Sequence, residues 1–326
     1  MPLSGSDRAH RHKPPSIVCV LPCYNEAANL RLLLPRLTGF LGQHFLAWDV
    51  VLVDDGSHDD TSAVLEEWTR RPGVRAVQLS RNFGKEAALS AGLDEADAEV
   101  TVLLDADLQH PPELILTMVE RWVGGADVVY AVRSDRADEG AFKRVGTRLF
   151  YRMVNHGDRF DIPADAGDFR LMDRRVVEAL RQLPERNRFM KGLYAWVGFR
   201  AEGVPYQPAR RAAGRTHFSI GRLLRLSIDG LTGFTTWPLR VVSVVGAITS
   251  LMAFVYGGYL TVRYLLLGND VPGWTTVVVL LLLFAGIQMI AMGMVGEYIA
   301  RIFEEVKARP RYLVRRRLGH QHDNKG

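Results

Sequence analysis

The chain has 326 residues, of which 48% are hydrophobic and 24% charged, and this composition excludes a disordered or low-complexity protein. Its net charge of +5 equals the basic excess of residues 300–326 alone, which hold eight Lys or Arg and three acidic residues. The basic run Arg315-Arg316-Arg317 follows two long uncharged stretches, so it predicts an anchor at a membrane face and not a nucleic-acid site.

Residues 1–15 are polar and lack an apolar segment, which predicts a flexible N-terminus without a signal peptide. Short apolar or β-branched runs then alternate with stretches of helical spacing. The predicted strands are 16–21, 48–53, 74–79, 100–104 and 127–132, and the predicted helices are 26–40, 60–70, 85–97 and 112–124. This alternation predicts an α/β domain whose mostly parallel sheet is covered on both faces.

Acidic residues follow three of the predicted strands, at the edge where ligands bind in such sheets. The segments are Tyr24-Asn25-Glu26, Asp54-Asp55-Gly56-Ser57 and Asp105-Ala106-Asp107. Taken singly, each also fits a helix cap, a turn or a polar strand end. The pair Asp105 and Asp107 is harder to explain in that way, because two carboxylates at i and i+2 lie on one side of a strand and repel each other. Their oxygen ligands predict Mg²⁺ or Mn²⁺ bound together with a nucleotide diphosphate.

The C-terminal third of the chain carries the signals of a membrane protein. Residues 241–262 and 275–296 contain no charged residue or His, and each is long enough to cross a bilayer. Residues 142–153 and 218–234 have apolar and basic positions at helical spacing, which predicts interfacial helices, although either could be an ordinary core helix. The predicted organisation is a domain over 16–217, a juxtamembrane helix over 218–237, a hairpin over 238–299 and a basic tail over 300–326.

The two cysteines, Cys19 and Cys23, have no partner residues that would form a zinc site, so we expect buried or surface thiols in a reducing compartment. The loop between the two apolar stretches is poor in basic residues. The distribution of positive charge therefore places both termini and the α/β domain in the cytoplasm, with the loop outside the cell membrane.

Several motifs in this sequence resemble the inverting family 2 glycosyltransferases of the GT-A fold, and more closely the polyprenyl-phosphate glycosyltransferases among them. The motifs are Pro22-x-Tyr24-Asn25-Glu26, Asp54-Asp55-Gly56-Ser57, Arg81-Asn82-Phe83-Gly84-Lys85-Glu86 and Asp105-Ala106-Asp107-Leu108-Gln109-His110-Pro111-Pro112. Further similarity lies in Gly167-Asp168-Phe169-Arg170, Arg188-Phe189-Met190-Lys191-Gly192, Arg211-x-x-Gly214 and Gly296-Glu297-Tyr298. The resemblance covers nearly the whole chain and also implies a homotetramer.

The resemblance implies roles for individual residues. Pro22, Tyr24, Glu26, Val53 and Asp55 would line the nucleoside pocket, and Lys85 and Ala106 would join them in binding the donor. Asp105, Asp107 and Gln109 would surround a divalent metal and the donor diphosphate. Cationic residues would offset the charge of the donor and acceptor phosphates: Arg133, Lys143, Arg144, Lys191 and Arg211. Asp168 would orient the acceptor, or else pair with Arg170 or frame a turn.

The implied reaction transfers a sugar from a nucleotide-sugar to a polyprenyl phosphate, with a UDP-sugar favoured and glucose as the first expectation. A lipid monophosphate is already largely a dianion at neutral pH, so the reaction needs no strong general base. The alternatives are a GDP-mannose-dependent enzyme, a processive polysaccharide synthase and an inactive membrane adaptor. His217 stands where related sequences carry Lys, and it either contacts a phosphate, caps the following helix or faces solvent.

Overall fold

The structure is a computed structural model that describes residues 14–133, 166–186, 188–207, 237–267 and 273–319. Within these ranges the chain forms the strands β1 Ile17–Cys23, β2 Trp48–Asp54, β3 Val74–Leu79, β4 Val100–Leu103, β5 Val128–Arg133, β6 Ala166–Asp173, β7 Ala201–Tyr206 and β8 Val314–Leu318. The helices are α1 Ala27–His44, α2 Thr61–Trp68, α3 Lys85–Glu95, α4 Leu114–Val123, α5 Arg174–Gln182, α6 Met190–Trp196, α7 Trp237–Leu267 and α8 Trp274–Lys307.

The described strands form one mixed sheet in the order β7-β5-β6-β4-β1-β2-β3-β8. Strands β4, β1, β2 and β3 run parallel to one another, whereas β6 is antiparallel to both β4 and β5, and β8 is antiparallel to β3. The five predicted strands and four predicted helices are all present, with small shifts at their ends. The mixed α/β sheet confirms the predicted fold class.

Both faces of the sheet are buried, which explains why the central strands are mostly apolar on both of their faces. Ile17, Cys19 and Leu21 of β1 pack toward α1, α2 and α4, and the alternate residues Val18 and Val20 pack toward α3, α5 and α6. Cys19 and Cys23 are buried free thiols, one of the two outcomes expected for them. The core therefore holds the carboxyl ends of β1, β2 and β4 side by side.

The two long helices cover the two apolar stretches of the sequence. Among the described residues, one segment, Leu283–Lys307, is long and apolar enough to span a membrane, and the apolar segment Val244–Leu260 of α7 is shorter. The helical conformation is confirmed, but the prediction of two spans stays a prediction. The predicted interfacial helix 142–153 and nearly all of the predicted juxtamembrane helix 218–237 lie outside the described residues.

The basic tail contributes a strand to the sheet, which the sequence analysis did not predict. Strand β8 pairs with β3, and its arginines reach the helices beside it: Arg316 forms an ion pair with Glu66 at 2.6 Å, and Arg317 forms one with Glu95 at 2.9 Å. Two residues of the run that we assigned to a membrane anchor therefore pair with acidic residues of the α/β domain. In a β-strand these arginines are held at a regular spacing, which a disordered basic tail would not have.

Candidate functional site

The acidic strand ends meet in a single cleft, as the sequence predicts. The cleft has a volume of about 340 Å³ and lies at the carboxyl ends of β1, β2 and β4, beside the first turn of α3. Its lining residues are Pro22, Cys23, Tyr24, Glu26, Asp55, Asn82, Gly84, Lys85, Ala88, Asp105, Ala106 and Asp107. Eight of them are residues to which the resemblance assigns donor binding: Pro22, Tyr24, Glu26, Asp55, Lys85, Asp105, Ala106 and Asp107.

The turn after β1 sets the direction of Tyr24 and Glu26. Asn25 has a positive φ of 56°, and it is held there because its N–H donates to Ser57 Oγ and its Oδ1 accepts from the N–H of His58. Asn is one of the few residues that adopt this conformation readily. Tyr24 is 41% exposed and meets the ring of His58 edge-on, with the ring centroids 6.5 Å apart. A large aromatic ring is thus presented to the cleft and held by its neighbours.

Asp55 fastens the loop before α3 to the end of β2. Its two carboxylate oxygens accept the N–H groups of Phe83 at 2.7 Å and Gly84 at 2.9 Å. Burial raises the pKa of Asp55 although these two bonds act in the opposite direction. The neighbouring Gly56 has φ 70°, and a Cβ at this position would lie 2.5 Å from the carbonyl carbon of Arg81. The loop therefore approaches β2 so closely that only glycine fits there.

Lys85 connects the cleft with Asp168. Its ammonium lies 2.7 Å from Asp105 Oδ1 and 2.6 Å from Asp168 Oδ2. Burial opposes the charged form of Asp168, but the ammonium groups of Lys85 and Lys191 outweigh it and hold the pKa of Asp168 down at about 2. The same two carboxylates raise the pKa of Lys85. A fixed cation thus lies between two carboxylates contributed by different strands.

Gln109 and Arg133 form a second polar pair near Asp107. Gln109 is buried and its Oε1 accepts from the Arg133 guanidinium at 2.6 Å, while its N–H donates to Asp107 Oδ1 at 3.1 Å. Between them Leu108 takes a positive φ of 62°, a strained conformation for this residue that turns the chain back toward the cleft. Gln109 therefore contacts Arg133 instead of presenting a free oxygen to the cleft.

Five carboxyl groups give the site a strongly uneven charge. Burial, together with the charges of Asp107 and Asp105, raises the pKa of Glu26, which lies across the cleft from them. Burial also raises the pKa of Glu86 to about 7, and the charge of Asp168 adds to this shift. Carboxylates that repel one another in this way favour the binding of a cation.

Three residues that the sequence analysis did not assign to the site lie next to it and hold neighbouring elements together. Glu86 accepts the N–H of Met190 at 3.3 Å and so joins α3 to α6. Arg170 is buried, donates to the carbonyl of Gly167 at 2.7 Å and lies 3.6 Å over the ring of Tyr194. His110 packs between Phe169 and Tyr206. The only sequence signal that could have identified these three residues is their position within the motifs quoted above.

The structure places the remaining predicted residues in different surroundings. Val53 is fully buried and packs in the core with Val20 and α3, because alternate residues of β2 point to opposite faces. Lys191 lies on α6, close enough to Asp168 to lower its pKa. Four further predicted residues, Lys143, Arg144, Arg211 and His217, lie outside the described residues. In the part of the chain that the structure describes, no three His, Cys, Asp or Glu residues form a metal-binding group.

Comparison with known families matches this architecture in two segments. Residues 18–181 match the model of glycosyl transferase family 2, and residues 237–302 match the model of the GtrB C-terminal hairpin. The first match spans β1 to α5 and so includes the cleft, and the second spans α7 and most of α8. The chain belongs to glycosyl transferase family 2, and the resemblance noted in the sequence is confirmed.

Relatives extend the similarity over nearly the whole chain. An uncharacterized glycosyltransferase, sll0501, of Synechocystis sp. is 43% identical over 296 residues, which cover 90% of this chain and 93% of the relative. A prophage bactoprenol glucosyl transferase homolog of Escherichia coli and the bactoprenol glucosyl transferase of Shigella phage SfX are each 39% identical, and they cover 92% of this chain and 98% and 99% of their own length. A crystal structure of glucosyl-3-phosphoglycerate synthase from Mycobacterium tuberculosis covers 71% of this chain and 83% of its own at 18% identity, with a TM-score of 0.47.

Proposed function

We propose that this glycosyltransferase moves glucose from a nucleoside diphosphate, with UDP-glucose as the favoured donor, to a polyprenyl phosphate, with inversion at the anomeric carbon. The observation that carries the proposal is the position of Lys85 between Asp105 of the cleft and Asp168 beside it. The names of the 39% identical relatives, bactoprenol glucosyl transferases, support glucose and a polyprenyl acceptor.

The donor set of the cleft fits a divalent metal. Asp105 and Asp107 offer carboxylate oxygens, the ligands that Mg²⁺ and Mn²⁺ prefer, and their charges raise the pKa of Glu26 across the cleft. We assign the ligand role to Asp105 and Asp107, because Gln109 would have to give up its bond to Arg133 to join them. A bound metal would offset the charge that develops on the leaving diphosphate.

Acceptor attack does not require a proton to be removed by the enzyme. A phosphate oxygen of the acceptor forms a bond to the anomeric carbon while the bond between this carbon and the diphosphate breaks, and the electron pair leaves with the diphosphate. Asp168, whose pKa is held down at about 2, is too weak a base to take part by proton abstraction. We therefore assign it an orienting role through Lys85 and Lys191.

The same cations bring two anionic substrates together. The ammonium of Lys85 lies at the edge of the donor cleft, and the charge of Lys191 also acts on Asp168. Arg133 is exposed at the end of β5 and is oriented by Gln109. Fixed positive charge of this kind lowers the barrier most when it is aimed at charge that develops in the transition state.

We also propose a location at the inner face of the cell membrane, and two features of the C-terminal region support attachment to a membrane. Helices α7 and α8 expose many large apolar side chains, including Phe254 at 82% and Ile290 at 68%, which water solvates poorly. Strand β8 follows α8 and pairs with β3 of the α/β domain, so both ends of the helical hairpin lie on the same side of any membrane. Two crossings satisfy this condition and one does not.

The test is a transfer assay with the full-length protein in lipid vesicles. Undecaprenyl phosphate and Mg²⁺ are combined with UDP-glucose, UDP-galactose, UDP-N-acetylglucosamine or GDP-mannose, and the lipid product is analysed by mass spectrometry. We expect one hexose per lipid from UDP-glucose, a β-anomer by NMR, and no product in EDTA or with undecaprenol, which lacks the phosphate.

Other results would contradict parts of the proposal. Transfer from GDP-mannose alone would overturn the donor, and a product with many sugars would indicate a processive synthase. An α-linked product would overturn the inversion. Absence of transfer from every donor would overturn the proposed function.

A further inference from the structure

A second cavity lies beside the first turn of α3 and shares Gly84 and Lys85 with the wall of the donor cleft. It has a volume of about 220 Å³, and its charged lining residues are Lys85, Glu86, Arg186, Arg188 and Arg311. The three arginines come from two distant parts of the sequence: the loop between α5 and α6, and the segment that follows α8. The fold therefore concentrates positive charge in a space that the proposed reaction does not use.

The guanidinium of Arg188 is fixed in place. Arg188 is 6% exposed, and it donates to the carbonyls of Leu180 at 3.0 Å and Leu183 at 2.8 Å at the end of α5. Burial lowers the pKa of Arg188, and the like charge of Arg311 lowers it further. Two positive groups are thus held close together although they repel each other.

Arg311 brings an unused donor to the cavity. Its Nη1 is buried and has no hydrogen-bond partner among the described residues. An unsatisfied charged donor at a buried position is costly in free energy, and a bound anion would remove this cost. The same anion would offset the repulsion between Arg311 and Arg188.

The third arginine ties the cavity to the end of α8. The backbone N–H of Arg186 donates to the carboxylate of Glu305 at 3.0 Å, and its guanidinium donates to the carbonyl of Arg309. Arg311 itself lies four residues beyond Lys307, where α8 ends. The cavity therefore lies where the chain leaves its apolar helix.

The cavity is separate from the donor site in its use of charge. The ammonium of Lys85 bonds to Asp105 and Asp168 and so serves the cleft. The carboxyl of Glu86 is the acidic group in the cavity wall, and it accepts the N–H of Met190. Among the residues that line the cavity the arginines outnumber this carboxyl, and the carboxylates of Asp94 and Glu185 also act on Arg188.

We propose that Arg186, Arg188 and Arg311 form a binding site for a phosphate group, supplied either by the headgroup of an anionic membrane lipid or by free phosphate. Arginine is well suited to this ligand because its planar group offers several donors to the phosphate oxygens. The lipid source rests on the membrane location proposed above, and the free ion does not.

The test compares full-length wild type with Arg311→Gln and with Arg315→Gln as a matched control. The control makes the same change of charge on the exposed strand β8, outside the cavity. In one arm, inorganic phosphate is titrated at constant ionic strength in a zwitterionic detergent, and Tm is measured. In the other, Tm is compared in vesicles of phosphatidylcholine with and without phosphatidylglycerol.

We expect phosphate or phosphatidylglycerol to raise the Tm of the wild type and the control equally, and Arg311→Gln to weaken the apparent affinity about tenfold or more, since a charged hydrogen bond is lost. An effect confined to the first arm assigns free phosphate, and one in the second assigns the lipid. Equal responses of all three proteins in both arms overturn the proposal. If Arg311→Gln does not fold, Arg311→Lys replaces it with a smaller expected effect. Neither arm contains a sugar donor, so failure of the transfer assay leaves this result unchanged.

Discussion

The two ends of the sheet differ in how their charged side chains are arranged. At the carboxyl ends of the strands, Asp105, Asp107 and Glu26 face one cleft, and their mutual repulsion contributes to the raised pKa of Glu26. At the amino ends, charges are neutralised by neighbours: Arg174 pairs with Asp97 at 3.0 Å, and Arg75 pairs with Asp49 at 3.3 Å. Several carboxylates around the single ammonium of Lys85, which bonds to Asp105, mark the carboxyl ends, whereas separate local ion pairs mark the amino ends.

Cavity volume alone would have indicated the wrong end of the sheet as the functional site. A cavity of about 470 Å³ lies among the amino ends of the strands, and it is larger than the cleft of about 340 Å³ that holds the predicted site. Its wall includes Trp48, Gly73 and Asp97, and Asp97 is already paired. A cluster of carboxylates that outnumber the cations beside them is therefore the better indicator of function.

The largest difference between the two ends is expected from matched Asp→Asn changes. Asp107→Asn should lower turnover at least about a hundredfold, because a ligand of the proposed metal loses its charge. Its fold should persist, since an Asn oxygen can still accept the N–H of Gln109. Asp97→Asn makes the same change at the amino end and should leave turnover unchanged. The transfer assay and Tm check both variants, and equal activity of the two would remove the functional distinction between the ends.

A smaller effect, and one that depends on pH, is expected at Glu86. Its pKa rises from 4.5 in a free chain to about 7 in the fold, so the folded state binds the proton more tightly. Its contribution to stability is therefore full below pH 4.5, falls as pH rises to about 7 and is lowest above that. Glu86→Gln, which is neutral at every pH, should raise Tm above pH 7 and change it little at pH 5.

The pH series for Glu86→Gln separates this cause from other groups nearby. Asp168, Lys85 and Lys191 face Glu86, but the pKa of Asp168 lies at about 2 and that of Lys85 is raised, so neither changes charge between pH 5 and 8. A Tm difference between the variant and the wild type that stays constant over this range would show that Glu86 does not change its protonation state there, and would contradict a pKa of about 7.

The smallest effect is expected at the paired amino end. Arg174→Ala removes ion pairs with Asp97 and Glu178, and the side chains of all three residues are at least half exposed. Exposed pairs of this kind contribute about 0–1 kcal/mol, so the free energy of unfolding should fall by no more than that. Denaturant titration measures this free energy of unfolding. A much larger loss would mean that charged residues at the amino end stabilise the fold by more than their ion pairs.

The sequence was sufficient to predict the central sheet and the position of the cleft. Strands β1 to β5 are mostly apolar because helices cover both faces, and the carboxyl ends of β1, β2 and β4 carry the acidic residues that the structure brings together. Strands β6, β7 and β8 escaped prediction for a physical reason. Strand β8 has the sequence VRRRL, and its polar side chains gain their partners only from distant helices.

Some features of the site could not be predicted from the sequence, because they depend on contacts between residues that are far apart in the chain. The bridge of Lys85 to Asp168 joins residues 83 positions apart, and Glu86 reaches Met190 across 104 positions. Val53 was assigned to the nucleoside pocket by its place in a motif, yet the alternation of β2 turns it into the core. A motif gives the neighbourhood of a residue, whereas the direction of its side chain depends on the element that carries it.

The pairing of β8 with β3 fixes an order of events during synthesis. The ribosome releases residues 314–318 only after it has made both long apolar helices, and until then β3 is an open sheet edge. An open edge of this kind is prone to pair with other chains. A polypeptide that stops within α8 would keep the cleft residues but leave this edge uncovered, so the end of the chain completes a domain that its first two hundred residues began.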